Sequence, residues 1–166
     1  AVPVAATPSD PAPIAADIRV EAPDGAALVL NAGSEVKLPI GVEPFVALTR
    51  YPLEEDAPCF IDAANPPLAL WVVTPIDTYE IEPGTRLDPV MSPASLDLPN
   101  EPGWGLAAGA AVDVYVLGGA HALDAGLAEG DWERAAAATV SADGTRIQTA
   151  DGEGLAYLTW FAIYPI

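Results

Sequence analysis

Carboxylates are the most abundant groups in this sequence that could carry out chemistry. The 166 residues include 24 Asp and Glu against six Lys and Arg, a formal net charge of −18. The densest groups are Glu54, Glu55 and Asp56, and Asp151 with Glu153. Paired carboxylates can act as acid and base in glycoside hydrolysis. Nothing in the spacing marks any pair as buried or mutually positioned, so we interpret these groups as charged loops in water.

Other catalytic chemistry lacks the necessary residues. The single histidine, His121, lies in a Gly/Ala-rich stretch, and no Gly-x-Ser-x-Gly nucleophile motif accompanies it. One histidine and one cysteine, Cys59, cannot supply a zinc site. No glycine-rich phosphate loop opens a helix. The sequence therefore predicts a protein that is not an enzyme, and we assign no catalytic, cofactor-binding or metal-binding residues.

The acidity has two open interpretations. Calcium takes several oxygen ligands from loops, which Asp143 with Asp151 and Glu153, or Glu54 with Asp56, could contribute. An Asp-x-Asp-x-Asp-Gly loop is missing, so calcium stays an alternative and not an assigned cofactor. Adaptation to high salt would also spread acidic residues over the loops.

The charge also restricts the partners. Binding to nucleic acid requires clustered Lys and Arg, and Lys37 is the only lysine. Anionic membrane surfaces are disfavoured for the same reason. The sequence contains no run of about 18 apolar residues, so it predicts no membrane-spanning segment. Since 51% of the residues are hydrophobic, we expect a packed core under an acidic surface and a protein partner or self-association.

The first residues and the cysteine bear on location. The sequence starts at Ala1 with no initiator Met, which is typical of a chain whose signal peptide has been removed. We therefore expect a secreted, extracellular or cell-surface protein. A lone Cys59 allows no intrachain disulfide; we expect it to be buried and inert, with an intermolecular bond as the alternative.

Short apolar stretches separated by turn residues predict an all-β fold. Asp24-Gly25 and Asp143-Gly144 are strong turn signals, and 18 prolines and 14 glycines punctuate the chain. Ala-rich pieces at 121–128 and 133–138 are too short for confident helices. Residues 18–166 are predicted to form one antiparallel, immunoglobulin-like β-sandwich. The predicted strands cover 18–20, 27–30, 36–38, 45–48, 68–73, 79–81, 96–98, 110–117, 139–141, 145–149 and 155–163.

Residues 1–17 are predicted to form an extended, Pro/Ala-rich N-terminal arm. The arm is either a flexible leader or a segment that lies across a neighbouring subunit, where Val2, Val4 and Ile14 would provide apolar contacts. An open sandwich has edges that accept an added strand. The arm could therefore join subunits head to tail.

The four tryptophans divide into two groups. Trp71, Trp132 and Trp160 are predicted to lie in the core or at its edge. Trp104 is flanked by glycines in a loop, where it could stack on a sugar or fill a partner's pocket. The other interpretation is that Trp104 folds back onto its own domain.

The second half of the sequence resembles a known module. The residues that carry the resemblance are 84–89 (GTRLDP) with 95–100 (SLDLPN), 106–115 (LAAGAAVDVY), Trp132 with 139–147 (TVSADGTRI), and 152–155 (GEGL) continuing to 159–161 (TWF). In order and spacing they resemble a ZU5-like β-sandwich module of large secreted and surface-anchored bacterial proteins. The resemblance covers residues from about 80 to 166 and implies a structural or adhesive role without catalytic residues.

Two loops depart from that pattern. Residues 101–105 (EPGWG) are inserted, and the stretch between Leu117 and Trp132 is enlarged. Enlarged loops are where a scaffold usually acquires its own contacts. We therefore predict a structural, self-assembling or partner-binding module, with surface carbohydrate binding through the Trp104 loop as the alternative.

Overall fold

The computed structural model describes residues 1–3, 6–7, 10–11, 14–37, 45–53, 57–74, 78–81, 93–119 and 127–166. Apart from a 3-10 turn at Pro102–Trp104, the regular structure in these residues is extended. The strands are β1 (Val2–Pro3), β2 (Ala6–Thr7), β3 (Asp10–Pro11), β4 (Ile18–Glu21), β5 (Ala27–Leu30), β6 (Glu35–Lys37), β7 (Phe45–Tyr51), β8 (Ala69–Thr74), β9 (Thr78–Ile81), β10 (Ser95–Pro99), β11 (Ala111–Leu117), β12 (Trp132–Val140), β13 (Arg146–Thr149), β14 (Tyr157–Leu158) and β15 (Trp160–Pro165).

Ten of these strands form one antiparallel sheet in the order β1-β7-β8-β15-β11-β12-β13-β10-β5-β4. The sheet curls until β4, at one end of this order, contacts β7 and β1 at the other end. The prediction of an all-β antiparallel fold is confirmed. The sheet is barrel-like, however, and does not divide clearly into the two layers of a sandwich.

Alternation of side chains defines the inside of the barrel. In β11, Val112, Val114 and Val116 are buried in the core, while Asp113 and Tyr115 point to the outer face. In β8, Trp71 is buried in the main core and Leu70 in a separate outer cluster, as the uninterrupted apolar stretch predicted.

Two aromatic side chains anchor the interior. Trp71 and Phe161 face each other on neighbouring strands, fully buried, with ring centroids 5.3 Å apart and an interplanar angle of 13°. Burying an aromatic side chain of this size stabilises a fold by about 2–3 kcal/mol. The pair therefore holds together β8 and β15, the third and fourth strands in the sheet order.

The Ala-rich stretch at 133–138 lies in a strand, although its composition alone suggested a short helical piece. β12 pairs with β11 from Leu117↔Trp132 to Ala111↔Thr139, with a bulge beside Val114 and Tyr115. Tertiary pairing outweighs the helix propensity of alanine here, because the buried Ala136 and Ala138 face the core.

A small second sheet covers part of the core. It has the order β14-β9-β6, and its residues Val36, Tyr157 and Leu158 are buried in the main core. The 150–155 segment joins it to β10, since Ala94 and Leu155 exchange backbone hydrogen bonds of 2.9 Å.

Candidate interaction surface

The seam of the barrel lies where β7 and β4 approach each other, and β1 occupies part of it. β1 pairs with the first two residues of β7, Val2 with Val46 and Pro3 with Phe45, and also contacts β4. Val2 is half-buried against the core. Among the described residues, no strand pairs with β7 from Ala47 to Thr49 on this side, or with β4 opposite β5.

The other predicted arm residues have different positions. Ile14 is buried in the core of its own chain, with 5% exposure. It is fixed by two backbone hydrogen bonds of 2.8 Å, one donated to Ser34 O and one accepted from Gly33 N. Val4 lies outside the described residues. β2 and β3 pair with each other. The described parts of residues 1–17 contact their own chain. An extended arm that lies across a neighbouring subunit therefore stays a prediction.

Trp104 is folded back onto the barrel. It ends the 3-10 turn, where Gly105 adopts a left-handed φ of 69°, and it packs half-buried against the core. The guanidinium carbon of Arg50 lies 5.7 Å from the Trp104 ring centroid and 5.8 Å from that of Trp71. Arg50 is therefore placed against both indole rings, within cation–π range.

Carboxylates complete this arrangement, which we call the Arg50 cap. Arg50 Nη1 forms an ion pair with Glu101 and lies 4.0 Å from Asp24 Oδ2. Trp71 Nε1 donates to the same Asp24 oxygen over 3.0 Å. The cap joins β7, β8, the β4–β5 turn and the inserted 101–105 loop. Asp24 belongs to a turn that the sequence predicted and Glu101 to the inserted loop, but only the fold brings both carboxylates to Arg50.

A second group of aromatic side chains lies on the outer face of the barrel. It consists of half-buried side chains around the buried Ile61, Leu70 and Ala162, and we call it the outer cluster: Tyr51, Leu53, Phe60, Trp132, Trp160 and Tyr164. Ring centroids are 5.6 Å apart for Tyr51 and Trp160, 5.3 Å for Trp160 and Phe60, and 6.1 Å for Phe60 and Trp132.

The 57–61 segment is attached to this cluster. Trp132 Nε1 donates to the Phe60 carbonyl over 3.1 Å, and the Phe60 ring lies between Trp132 and Trp160. Tyr115 extends the cluster through an edge contact with Tyr164 at 5.4 Å. Burial, helped by the negative charge of the exposed Asp62 and by Tyr115, raises the pKa of Tyr164 above its ordinary value.

Sequence reasoning identified part of this surface. Trp132 and Trp160 were predicted to lie at the core edge, and their half-buried positions confirm it. Tyr51, Phe60 and Tyr164 were missed as members of one site. The available signal was the spacing of Trp160 and Tyr164, which places both on one face of β15.

Elsewhere on the outer face, Asp97 of β10 connects three strands, because its partners lie on β4 and β13. Its carboxylate accepts hydrogen bonds from Arg19 Nη2 and Arg146 Nε, both at 2.8 Å, and from Gln148 Nε2 at 3.2 Å. Burial raises the pKa of Asp97, but these three bonds outweigh that effect and hold it below its ordinary value. An adjacent polar groove of about 540 Å³ is lined by residues that include Arg19, Asp97 and Asp151.

The candidate calcium ligands are not brought together. Asp143 Oδ1 accepts bonds from Ser141 Oγ and from the backbone N–H and hydroxyl of Thr145, which lower its pKa to about 2. Glu153 accepts from the Ala137 N–H at 3.0 Å, while Asp151 lines the groove. Across the described residues, no three His, Cys, Asp or Glu side chains are placed to hold a metal ion. Glu54, Glu55, Asp56 and His121 lie outside these residues.

Cys59 is exposed, so the prediction that it is buried was wrong. Its neighbours explain the difference, because Ile61 is buried and Phe60 is half-buried in the outer cluster. With the segment attached through these two side chains, Cys59 is left on the solvent side.

Comparison with known proteins adds no relative: no family model matches the chain, and no match was found among curated proteins or among solved structures. In the described part of the chain, no helix has the length and apolar character to cross a membrane.

Proposed function

We propose that this chain is a non-enzymatic structural module of an extracellular or cell-surface complex, which assembles with itself or with a protein partner through its N-terminal segment and sheet edges. The observation that carries the proposal is the two-residue pairing of β1 with β7 at the seam. The same two pairs, Val2 with Val46 and Pro3 with Phe45, would form if the strand came from another copy.

Strand exchange requires a receptive edge, and β7 supplies one. β7 is seven residues long, and in the described part of the N-terminal segment β1 pairs with two of them. A sheet edge with free backbone groups is a template for strand addition. Exchange of an identical element makes the same contacts within one chain and between chains, so it can produce closed dimers or open chains. Pro3 has no N–H and limits the hydrogen bonds that β1 can form.

An engineered disulfide distinguishes exchange of β1 between copies from pairing of β1 with β7 inside one chain. Val2→Cys with Val46→Cys, in a Cys59→Ser background, places cysteines at directly opposite positions of an antiparallel pair, a separation that suits a disulfide. Assembly through exchange is expected to give disulfide-linked dimers and ladders on a non-reducing gel at high protein concentration. A chain that keeps its own strand gives only a monomer that migrates faster than its reduced form.

The controls are the two single-cysteine variants and a chain without residues 1–3, which keeps the buried Ile14. Neither single variant is expected to form ladders, because each can make only one bond between copies. The shortened chain should be monomeric by light scattering. Monomeric intact protein at all concentrations, with only the intramolecular bond, would contradict assembly through this segment.

The ZU5-like sandwich and the extracellular location belong to the same proposal. Its support is the placement of the resembling stretches: 95–99, 111–115 and 160–161 lie in β10, β11 and β15, and 139–147 contains the β12–β13 hairpin. An experimental structure would test the module, since two separable layers are expected if the sandwich is correct. Fractionation of the producing cells would test the location.

Surface carbohydrate or polymer binding through the Trp104 loop is the second candidate. The observation that favours it is the half-buried Trp104 indole, near which Arg50 holds the carboxylates of Glu101 and Asp24; aromatic rings and carboxylates are groups that suit sugars. Glycan-array binding by the wild type that disappears in Trp104→Leu would support this function. Equal or absent binding in both proteins would remove it.

A further inference from the structure

The outer cluster has the composition of a recognition surface. Five of its six half-buried side chains are aromatic, and Tyr115 adds another ring at its margin. Aromatic residues are enriched where proteins bind other proteins. From this surface and the charge around it, we infer that the outer cluster binds an arginine-bearing segment of a protein partner.

The charge of the chain favours a cationic partner. The net charge is −18, and the six basic residues are Arg19, Lys37, Arg50, Arg86, Arg134 and Arg146. The four of these whose side chains the structure describes, all arginines, form ion pairs with carboxylates of the same chain. They are therefore engaged, and the exposed charge that remains in the described residues is predominantly negative. Asp62 is one of these exposed carboxylates, and its charge reaches Tyr164 of the outer cluster.

Arginine, and not lysine, is the side chain that fits best. The Arg50 cap shows how this chain holds a guanidinium, against two indole rings and beside two carboxylates. The outer cluster repeats the same elements on the surface, with two indoles, a phenyl ring and the nearby Asp62. A planar guanidinium stacks on such rings and is less strongly hydrated than an ammonium group.

The ring geometry disfavours a sugar at this surface. A sugar ring packs best on an exposed, flat aromatic face. Here the neighbouring rings are inclined to each other by 65° for Tyr51 and Trp160, 63° for Phe60 and Trp160, and 54° for Phe60 and Trp132. Inclined rings leave clefts between them, which suit a narrow, planar cation better than a broad sugar.

The test uses octapeptides of alternating residues: Arg-Gly, Lys-Gly and Glu-Gly. Binding is measured by tryptophan fluorescence and calorimetry with the full chain in physiological salt. The Arg-Gly peptide is expected to bind about threefold or more tightly than the Lys-Gly peptide, as exposed cation–π contacts allow, and the Glu-Gly peptide is expected not to bind.

Two variants locate the binding site, and one matched variant controls for charge. Trp160→Leu removes a central ring, and Asp62→Asn removes the nearby exposed charge. Asp151→Asn removes an exposed carboxylate that lines the groove beside Arg19 and Asp97. Affinity for the Arg-Gly peptide should fall about fivefold in the first variant and about twofold in the second, the scale of single surface contacts. It should stay at the wild-type value in Asp151→Asn.

Several results would overturn the inference. Equal affinity for the arginine and lysine peptides, or an equal effect of Asp62→Asn and Asp151→Asn, would show attraction to net charge alone. Binding of a neutral oligosaccharide that Trp160→Leu abolishes would assign the surface to carbohydrate. If Trp160→Leu does not fold, Asp62→Asn decides the question, because Asp62 is exposed. Because strand exchange depends on residues 1–3 and 45–46, a failure here leaves the assembly proposal standing.

Discussion

Replacing Asp97 by Asn tests the idea that one carboxylate holds three strands, β4, β10 and β13, together. Asp97 lies on β10, Arg146 on the adjacent β13, and Arg19 on β4, which reaches Asp97 across the intervening β5. Arg146 also donates to the carbonyls of Gly25 and Asp97 at 3.0 and 2.6 Å. Asn has the same shape and keeps one oxygen acceptor, so the substitution removes mainly the negative charge.

The expected cost follows from the exposure of the partners. The Arg19 side chain is 43% exposed, so water screens its bond and it contributes only a few tenths of a kcal/mol to about 1 kcal/mol. Arg146 and Asp97 are less exposed, at 27% and 21%, and a bond to a charged group in such a setting contributes about 1–1.5 kcal/mol. Asp97→Asn should therefore lower the free energy of unfolding by about 1–2 kcal/mol, or the melting temperature by about 4 °C.

The pH dependence separates charge from packing. Because the pKa of Asp97 is lower in the folded protein than its ordinary 3.8, its stabilising effect is complete above pH 3.8 and is lost as the pH falls through the folded value. The difference in unfolding free energy between the wild type and Asp97→Asn should accordingly shrink below pH 3.8. Urea unfolding followed by tryptophan fluorescence at pH 7, 5 and 3 measures it.

Asp113→Asn is the matched control, since the ion pair of Asp113 in the described part of the chain is with Arg134, whose side chain is 50% exposed. Asp113→Asn should lower the free energy of unfolding clearly less than Asp97→Asn does. A variant at position 97 as stable as the wild type at pH 7 would refute the reasoning. So would a deficit that stays constant down to pH 3, because it would then arise from packing and not from the carboxylate charge.

Three further predictions concern single positions. Cys59 should react with a thiol reagent at one equivalent in the native protein without denaturant; a reaction that requires unfolding would contradict its exposed position. Asp143→Ala should destabilise the β12–β13 hairpin at pH 7, and the difference should narrow from pH 3.8 to about 2, as Asp143 of the wild type becomes protonated. Gly154→Ala should cost at least about 2 kcal/mol in urea unfolding, because its Cβ would collide with the Ala94 carbonyl. Gly103→Ala, where the space is open, should be nearly neutral.

Strong local signals predicted several strands correctly, although the predicted strand 155–163 divides into β14 and β15, and residues 132–138 of β12 were not predicted. Alternation in β11 and the Asp143-Gly144 turn were read from the sequence, and the structure contains both, with Gly144 at a φ of 75°. The apolar stretch that forms β8 was predicted to be buried on both faces, and Leu70 and Trp71 are both fully buried. Each of these features depends on neighbouring residues, which is why the sequence alone was sufficient.

Features that depend on distant residues were not predicted. The contacts of Asp97 with Arg19 and of Asp97 with Arg146 join residues 78 and 49 positions apart. The curling of the sheet until β4 contacts β7 depends on the twist summed over ten strands, and no local pattern encodes it. The exposure of Cys59 follows from where Phe60 packs against Trp132 and Trp160, two residues from the second half of the chain.

The short pairing at the seam also determines when assembly should occur. β1 would make the same contacts with β7 of its own chain as with β7 of another copy. Which of the two β7 strands it binds then depends mainly on the local concentration of β1 at each. A strand tethered by a short connection has an effective concentration of about 1 mM. Free copies well below that concentration should therefore keep their own strand, and exchange should require crowding on a surface or alignment by a partner. The disulfide test is consequently most informative as a concentration series, in which the ladder appears only when copies compete with the chain's own strand.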